Sequence, residues 1–145
     1  MFAQILSRLA APSNDRLPPL QERRALAALL VRVGRADDHY GPAEMRRIDQ
    51  VLAGRFGLSP FEAAGLRADG EALETEAPDT VRFTRALKDH VPLEERAGLI
   101  EALWAVALAD GERAADEEQL IRLVANLLAV SDADSGLARQ RAARA

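Results

Sequence analysis

The sequence predicts an all-α fold, a compact bundle of about seven helices with an internal pseudo-repeat, and three observations carry that prediction. Apolar residues recur at i, i+3, i+4 and i+7 along most of the chain, which is the period of one helix face. Alternating β-branched runs are missing, and no Asn-Gly or Asp-Gly turn joins two such runs. Prolines and glycines fall between the periodic stretches, where they start and stop helices. A chain of 145 residues suits one domain. No solenoid-type period of roughly 30–45 residues runs through it.

In chain order, Phe2, Ile5, Leu6 and Leu9 form a short apolar stripe ahead of breaks at Pro12 to Asp15 and at Pro18-Pro19. Residues 1–19 are therefore expected to be a short helix and linker, and residues 20–145 the helical domain. The short helix is expected to fold back on the bundle; the alternative is a membrane-surface or partner-binding helix, limited by its single base, Arg8. Leu26, Leu29, Leu30 and Val33 mark the next helix, from about Leu20 to Arg35. Gly41-Pro42 restarts the chain, and Met45, Ile48, Leu52 and Phe56 share one face of a helix that ends at Gly57. Ser59-Pro60-Phe61-Glu62 is a capping box with proline at the first helical position. The helix it opens, to about Glu76, carries Gly65 and Gly70 at a cost of about 1 kcal/mol each relative to alanine.

Pro78-Asp79 ends that helix. Asp79 can cap a helix through His90 with a stripe of Val81, Thr84, Leu87 and Val91. Pro92 opens the most apolar stretch, with Glu94 and Glu95 in its first turn, where the helix dipole favours acids. From Ala97 to Ala109 that stretch is interrupted only by Glu101, so it reads as a core helix buried on most sides. Leu120, Ile121, Val124, Leu127 and Leu128 mark the sixth helix, and Ser131 to Asp134 cap a short last one.

Composition removes several functions. Hydrophobic residues are 48% and charged residues 29%, the balance of a folded domain. The chain has no cysteine, so disulfides, thiolate metal sites and cysteine nucleophiles are excluded. A net charge of −4 and a pI of about 5.2 argue against a nucleic-acid binder, and 4% aromatics are too few for base-stacking platforms. No apolar run is long enough to cross a membrane, and the first residues lack a secretory signal's basic start and long apolar centre. A cytoplasmic protein is expected, with peripheral attachment to a membrane as the alternative. Two scattered histidines and no P-loop or dinucleotide glycine pattern leave no catalytic constellation. A non-enzymatic protein is expected.

Two stretches resemble each other at a constant offset of 73 residues. Ala36 falls on Ala109, Asp37 on Asp110, Glu44 on Glu117, Ile48 on Ile121 and Val51 on Val124. Each copy reads as an apolar helix, an aspartate at its end, a tight turn, and a glutamate in the first turn of a second helix. The glutamates suit a helix N-terminus, worth about 0.3–1 kcal/mol. Asp37, Asp38 and Asp110 instead face the negative end of a helix dipole, so a compensating interaction is needed. Capping of backbone donors in the turn is one. The other is a divalent cation, for which carboxylates and loop carbonyls offer hard oxygen ligands suited to Ca²⁺ or Mg²⁺. The corners are not EF-hands, because Pro42 or Ala115 stands at the sixth loop position and Ile48 or Ile121 at the twelfth.

These corners, together with Leu58 to Glu62, Val81 to Leu87, and Glu95-Arg96 leading into Leu103-Trp104-Ala105-Val106-Ala107-Leu108-Ala109-Asp110-Gly111, resemble the tellurite-resistance TerB family and the related N-terminal region of DjlA-type co-chaperones. The resemblance covers about Leu20 to Val130. It implies an all-helical bundle with a pseudo-repeat, a role in tellurite and other stress responses, divalent-metal binding by the acidic corners, and protein partners, membrane-associated ones among them. Asp37, Glu44, Asp110 and Glu117 match the family positions. Asp38 stands where the family pattern has glycine, which adds a ligand and removes the flexible residue.

Other residues have plainer readings. His39 is expected to be an exposed loop histidine, with a ligand role as its alternative. His90 suits the last carbonyls of its helix, and Trp104 suits the core. Asp69, Glu71, Glu74, Glu76 and Asp79 are expected to form a solvated acidic face, or a docking surface for a basic partner. Arg139, Arg141 and Arg144 are expected to fray at the C-terminus.

Overall fold

The computed structural model describes residues 21–36, 38, 40–76, 79–109 and 115–144. Residues 1–19, with their apolar stripe, lie outside them. The described residues hold seven α-helices and no strand: α1 (Gln21–Arg35), α2 (Pro42–Phe56), α3 (Pro60–Glu76), α4 (Thr80–His90), α5 (Arg96–Ala107), α6 (Ala115–Leu127) and α7 (Asp132–Arg144). A 3₁₀ turn, Leu93–Glu95, precedes α5, so Pro92 opens that turn and not the α-helix itself.

The helix starts follow the expected chemistry. The Ser59 hydroxyl accepts from the Glu62 N–H at 3.1 Å, and Glu62 accepts from the Ser59 N–H at 3.0 Å, completing the capping box of α3. The hydrogen bond from the Ser59 backbone N–H, and after it one from the Ser59 side chain, hold the Glu62 carboxyl below the usual range. Asp79 caps α4 by accepting from Val81 N–H at 2.9 Å. At the other end of α4, His90 Nδ1 lies 3.0 Å from the Ala86 carbonyl, which places its ring proton on that nitrogen.

Helix α1 is the axis of the bundle and packs on α2, α3, α4, α5 and α6. Its stripe is wider than the four-residue pattern in the sequence, because every residue from Ala25 to Val31 is buried. Small residues on the flank let neighbours close in. Gly70 of α3 sits so close to α1 that a Cβ there would lie 2.7 Å from the Ala27 Cβ, so the glycine that weakens α3 as a helix admits this close approach to α1. Helix α5 is buried all round through Leu99, Ile100, Ala102, Leu103, Trp104, Val106 and Ala107. Helix α4 buries Thr84 and Leu87 of the expected stripe, with Val91 just past its end, adds Phe83 and Ala86, and leaves Val81 exposed, so its buried face is wider than the one expected.

Two expectations about charge are corrected. The acidic run of α3 is only in part a solvated face: Asp69, Glu76 and Asp79 are exposed, but Arg35 pairs with Glu74 at 2.9 Å, Arg32 with Glu74 at 3.5 Å, and Arg24 with Asp69 at 3.6 Å. It is the seam by which α3 binds the arginines of α1. Two of the three C-terminal arginines, Arg139 and Arg141, contact the bundle as well, while Arg144 is exposed. Arg139 stacks over the Trp104 ring at 4.8 Å and reaches Glu118, while Arg141 pairs with Glu101. Helix α7 is anchored by buried Ser135, Ala138 and Ala142, and Trp104 Nε1 donates to the Ser135 hydroxyl at 3.2 Å inside the core.

Candidate functional site

The duplication seen in the sequence is a duplication of structure. At the offset of 73 residues α2 begins where α6 begins, Pro42 on Ala115. The turns that precede them close alike: Ala36 N–H donates to the Val33 carbonyl at 3.2 Å, and Ala109 N–H to the Val106 carbonyl at 3.1 Å. Ile48 and Ile121 are both fully buried.

Glu44 and Glu117 each occupy the third position of their helix, and both are buried, at 5% and 3% exposure. That is unusual, since glutamate is almost never this buried unless partnered. At the first corner Glu44 Oε2 accepts from the Gly41 N–H at 3.1 Å, half of a capping box in which Gly41 has no side chain to reciprocate. Its Cβ also lies against α1 beside Gly34. The hydrogen bond to Gly41 leaves the carboxylate further lone pairs.

Asp38 has φ 63°, in the left-handed region, and its N–H donates to the Arg35 carbonyl at 3.1 Å. The offset places Gly111 opposite it. An aspartate tolerates that conformation better than most residues, so it supplies the turn that a glycine would supply and keeps an exposed carboxylate there. The departure from the family's Asp-Gly thus keeps a backbone that glycine also favours. Asp37, His39 and Asp110 lie outside the described residues. Among those described, no group of three or more histidine, aspartate or glutamate side chains is placed to hold a metal ion. Glu44 and Asp38 share the first corner, and Glu117 stands at the start of the second.

Sequence reasoning passed over Tyr40, the chain's one tyrosine. It follows the first acidic turn, and its hydroxyl donates to Glu71 Oε2 of α3 at 2.5 Å. Arg67 donates to the same Glu71 oxygen at 3.1 Å and to Asp49 of α2 at 2.7 Å. The Arg35 guanidinium lies 5.0 Å from the centre of the tyrosine ring. Burial, and then the hydrogen bond and charge of Glu71, push the Tyr40 hydroxyl well above the ordinary tyrosine range, against the opposing pull of Arg67. The hydrogen bond that Arg67 donates to Asp49 holds its guanidinium more firmly protonated still. The available signal was a lone tyrosine beside acids in a chain with few aromatics.

The family model described as tellurite resistance protein TerB matches residues 23–140, from the first turn of α1 into α7. No curated protein and no solved structure matches the chain at a significant level. The match spans most of the chain, and the chain belongs to the TerB family.

Proposed function

We propose that this TerB-family chain is a non-enzymatic domain whose two acidic corners bind divalent cations and, once loaded, present a surface to protein partners in a stress response of the tellurite-resistance type. Asp37, Asp38 and Glu44 would serve the first corner, and Asp110 and Glu117 the second. The single observation that carries the reading is the matched burial of Glu44 and Glu117 at equivalent helix starts. Both carboxylates are removed from water at duplicated helix starts, where the helix dipole favours negative charge and a cation would be favoured beside them. The donor set is all oxygen, which suits Ca²⁺ or Mg²⁺. Such an ion would neutralise the aspartates that oppose the dipoles of α1 and α5 and would fix the corner backbone. Partners would then read the ordered corners, in the cytoplasm or at a membrane face.

Thermal unfolding of metal-stripped protein with Ca²⁺, Mg²⁺, Mn²⁺ and Zn²⁺ titrated separately tests the reading. An ion bound only by the folded state with ~10 µM affinity stabilises it by about 2.7 kcal/mol at ~1 mM. The expected result is a saturable rise for one hard cation, reduced in Asp110→Ala and in Glu44→Gln. A metal-free interaction scaffold is the second reading, favoured by the Glu44 bond to Gly41, which gives that acid a capping role of its own. Under it, no ion raises the unfolding temperature, and Asp110→Ala lowers stability equally with and without metal.

A further inference from the structure

Helices α1 and α3 leave a groove open along their outer side. At one end Leu58, Gly65 and Leu66 border a hollow of about 390 Å³, with Arg23 and Arg24 of α1 on the opposite wall. A second hollow of about 270 Å³ continues it past Ala72 and Leu73 to Glu76. The two meet at the 3.6 Å bridge between Arg24 and Asp69, a pair that lines both. Leu58, Leu66 and Leu73 are half-buried, each packed on the core and open to the groove. Phe61 stands one turn before Gly65 and is 88% exposed, more than any other large apolar residue described. An open aromatic ring beside open leucine edges is the mark of an interaction surface.

We propose that this groove is the seat of the chain's own residues 1–11, docked as a helix; the inference is independent of any ion at the corners. Those residues are outside the described part of the structure, and the sequence says what they offer: Phe2, Ile5, Leu6 and Leu9 on one helical face. The lengths agree, since a helix over residues 1–11 is about 16 Å long and the groove runs about 21 Å from Glu62 to Glu76. The attachment agrees as well. Residues 12–20 reach about 30 Å when extended, and they join α1 at Gln21, within a turn of the two arginines on the groove wall. That tether presents the segment at an effective concentration of about a millimolar, which a free partner has to exceed. Charge agrees too. Arg8 is the only charged side chain in residues 1–11. The groove sets Glu62, Asp69 and Glu76 against two arginines that are already engaged, Arg23 over the Phe56 ring at 5.0 Å and Arg24 on Asp69. Gly65 leaves room for a second helix to approach, because a Cβ there would meet nothing within 4 Å.

The test is paramagnetic broadening in the full chain. The sequence has no cysteine, so Ser7→Cys takes a single nitroxide label, on the side of the segment away from its apolar face. The amides of Leu58, Gly65, Leu66 and Ala72 are expected to lose most of their intensity, and those of Leu123 and Leu137 to keep theirs. Leu6→Asp, which breaks the apolar stripe, should restore the lost signals. Gly65→Arg, which fills the groove and repels Arg8, should restore them too, with circular dichroism confirming that its helix content is kept. Labelled chain is also mixed with unlabelled, ¹⁵N-enriched chain. Broadening carried between separate chains would put the segment of a second copy in the groove and overturn the proposal. Broadening that is absent, centred on another face, or unmoved by both substitutions overturns it as well.

Discussion

Gly70 and Ala27 meet where α3 crosses α1, with less than a methyl group's room between them. A Cβ on residue 70 would sit 2.7 Å from both the carbonyl carbon and the Cβ of Ala27. Helix propensity alone would make Gly70→Ala stabilising by about 1 kcal/mol. The crossing reverses the sign, because backbone cannot yield as the tip of a long side chain does, and overpacking of this kind costs about 1–3 kcal/mol. Urea unfolding of Gly70→Ala should show a lower midpoint at an unchanged slope. An alanine there that stabilises the chain would mean the two helices are not in this contact.

The end of α6 invites the opposite change. Ala129 has φ 60°, and the Val130 N–H reaches back to the Ala125 carbonyl at 2.8 Å. The end of α2 uses the same closure, with Gly57 at φ 64° and the Leu58 N–H on the Ala53 carbonyl at 3.0 Å. Alanine in the left-handed region is strained where glycine is not. Ala129→Gly should therefore stabilise the protein by about 0.5–1 kcal/mol, read as a higher unfolding temperature.

Tyr40 allows a pH prediction with a definite sign. Its proton is held more tightly in the folded state than at the ordinary tyrosine value of 10.0. The stability this contributes is complete below that value and is lost as the pH climbs from there through the higher folded value. Ultraviolet titration of the native protein should accordingly show no tyrosinate at pH values where free tyrosine is already ionised. Glu71→Gln should bring the transition down toward the ordinary range. A native titration at the ordinary value would show the hydroxyl to be open to water.

Helices and their caps were legible because the signals are local: Ser59 with Glu62, Asp79 before Thr80, and Pro42 at the start of α2 all act within one turn. The two corner glutamates were legible for the same reason, and also because they occur twice. The side-chain seam was not. Glu74 meets Arg35 across 39 positions and Tyr40 meets Glu71 across 31, and no period in the chain announces which acid faces which arginine. The acids of α3 consequently read as a solvated face, although Glu74 is largely enclosed. The stripe of α4 missed Phe83 because a helix buried over a wide arc has several equally good apolar phases. The arginines of α7 looked like a fraying end because nothing local shows that Trp104, 35 residues earlier, lies under Arg139.

The start of α5 has no side-chain cap, and Arg96 does the joining there by other means. Its guanidinium donates to the carbonyls of Val91 at 3.1 Å, Leu128 at 3.2 Å and Lys88 at 3.4 Å. One cation therefore collects the loose carbonyl ends of α4 and α6 at the point where α5 begins. In the language of hydrogen exchange, this makes α4, α5 and α6 a single opening unit. Amides of α4, α5 and α6 share one clasp, so they are bound to exchange together, and the second half of the duplication has no private route to unfolding.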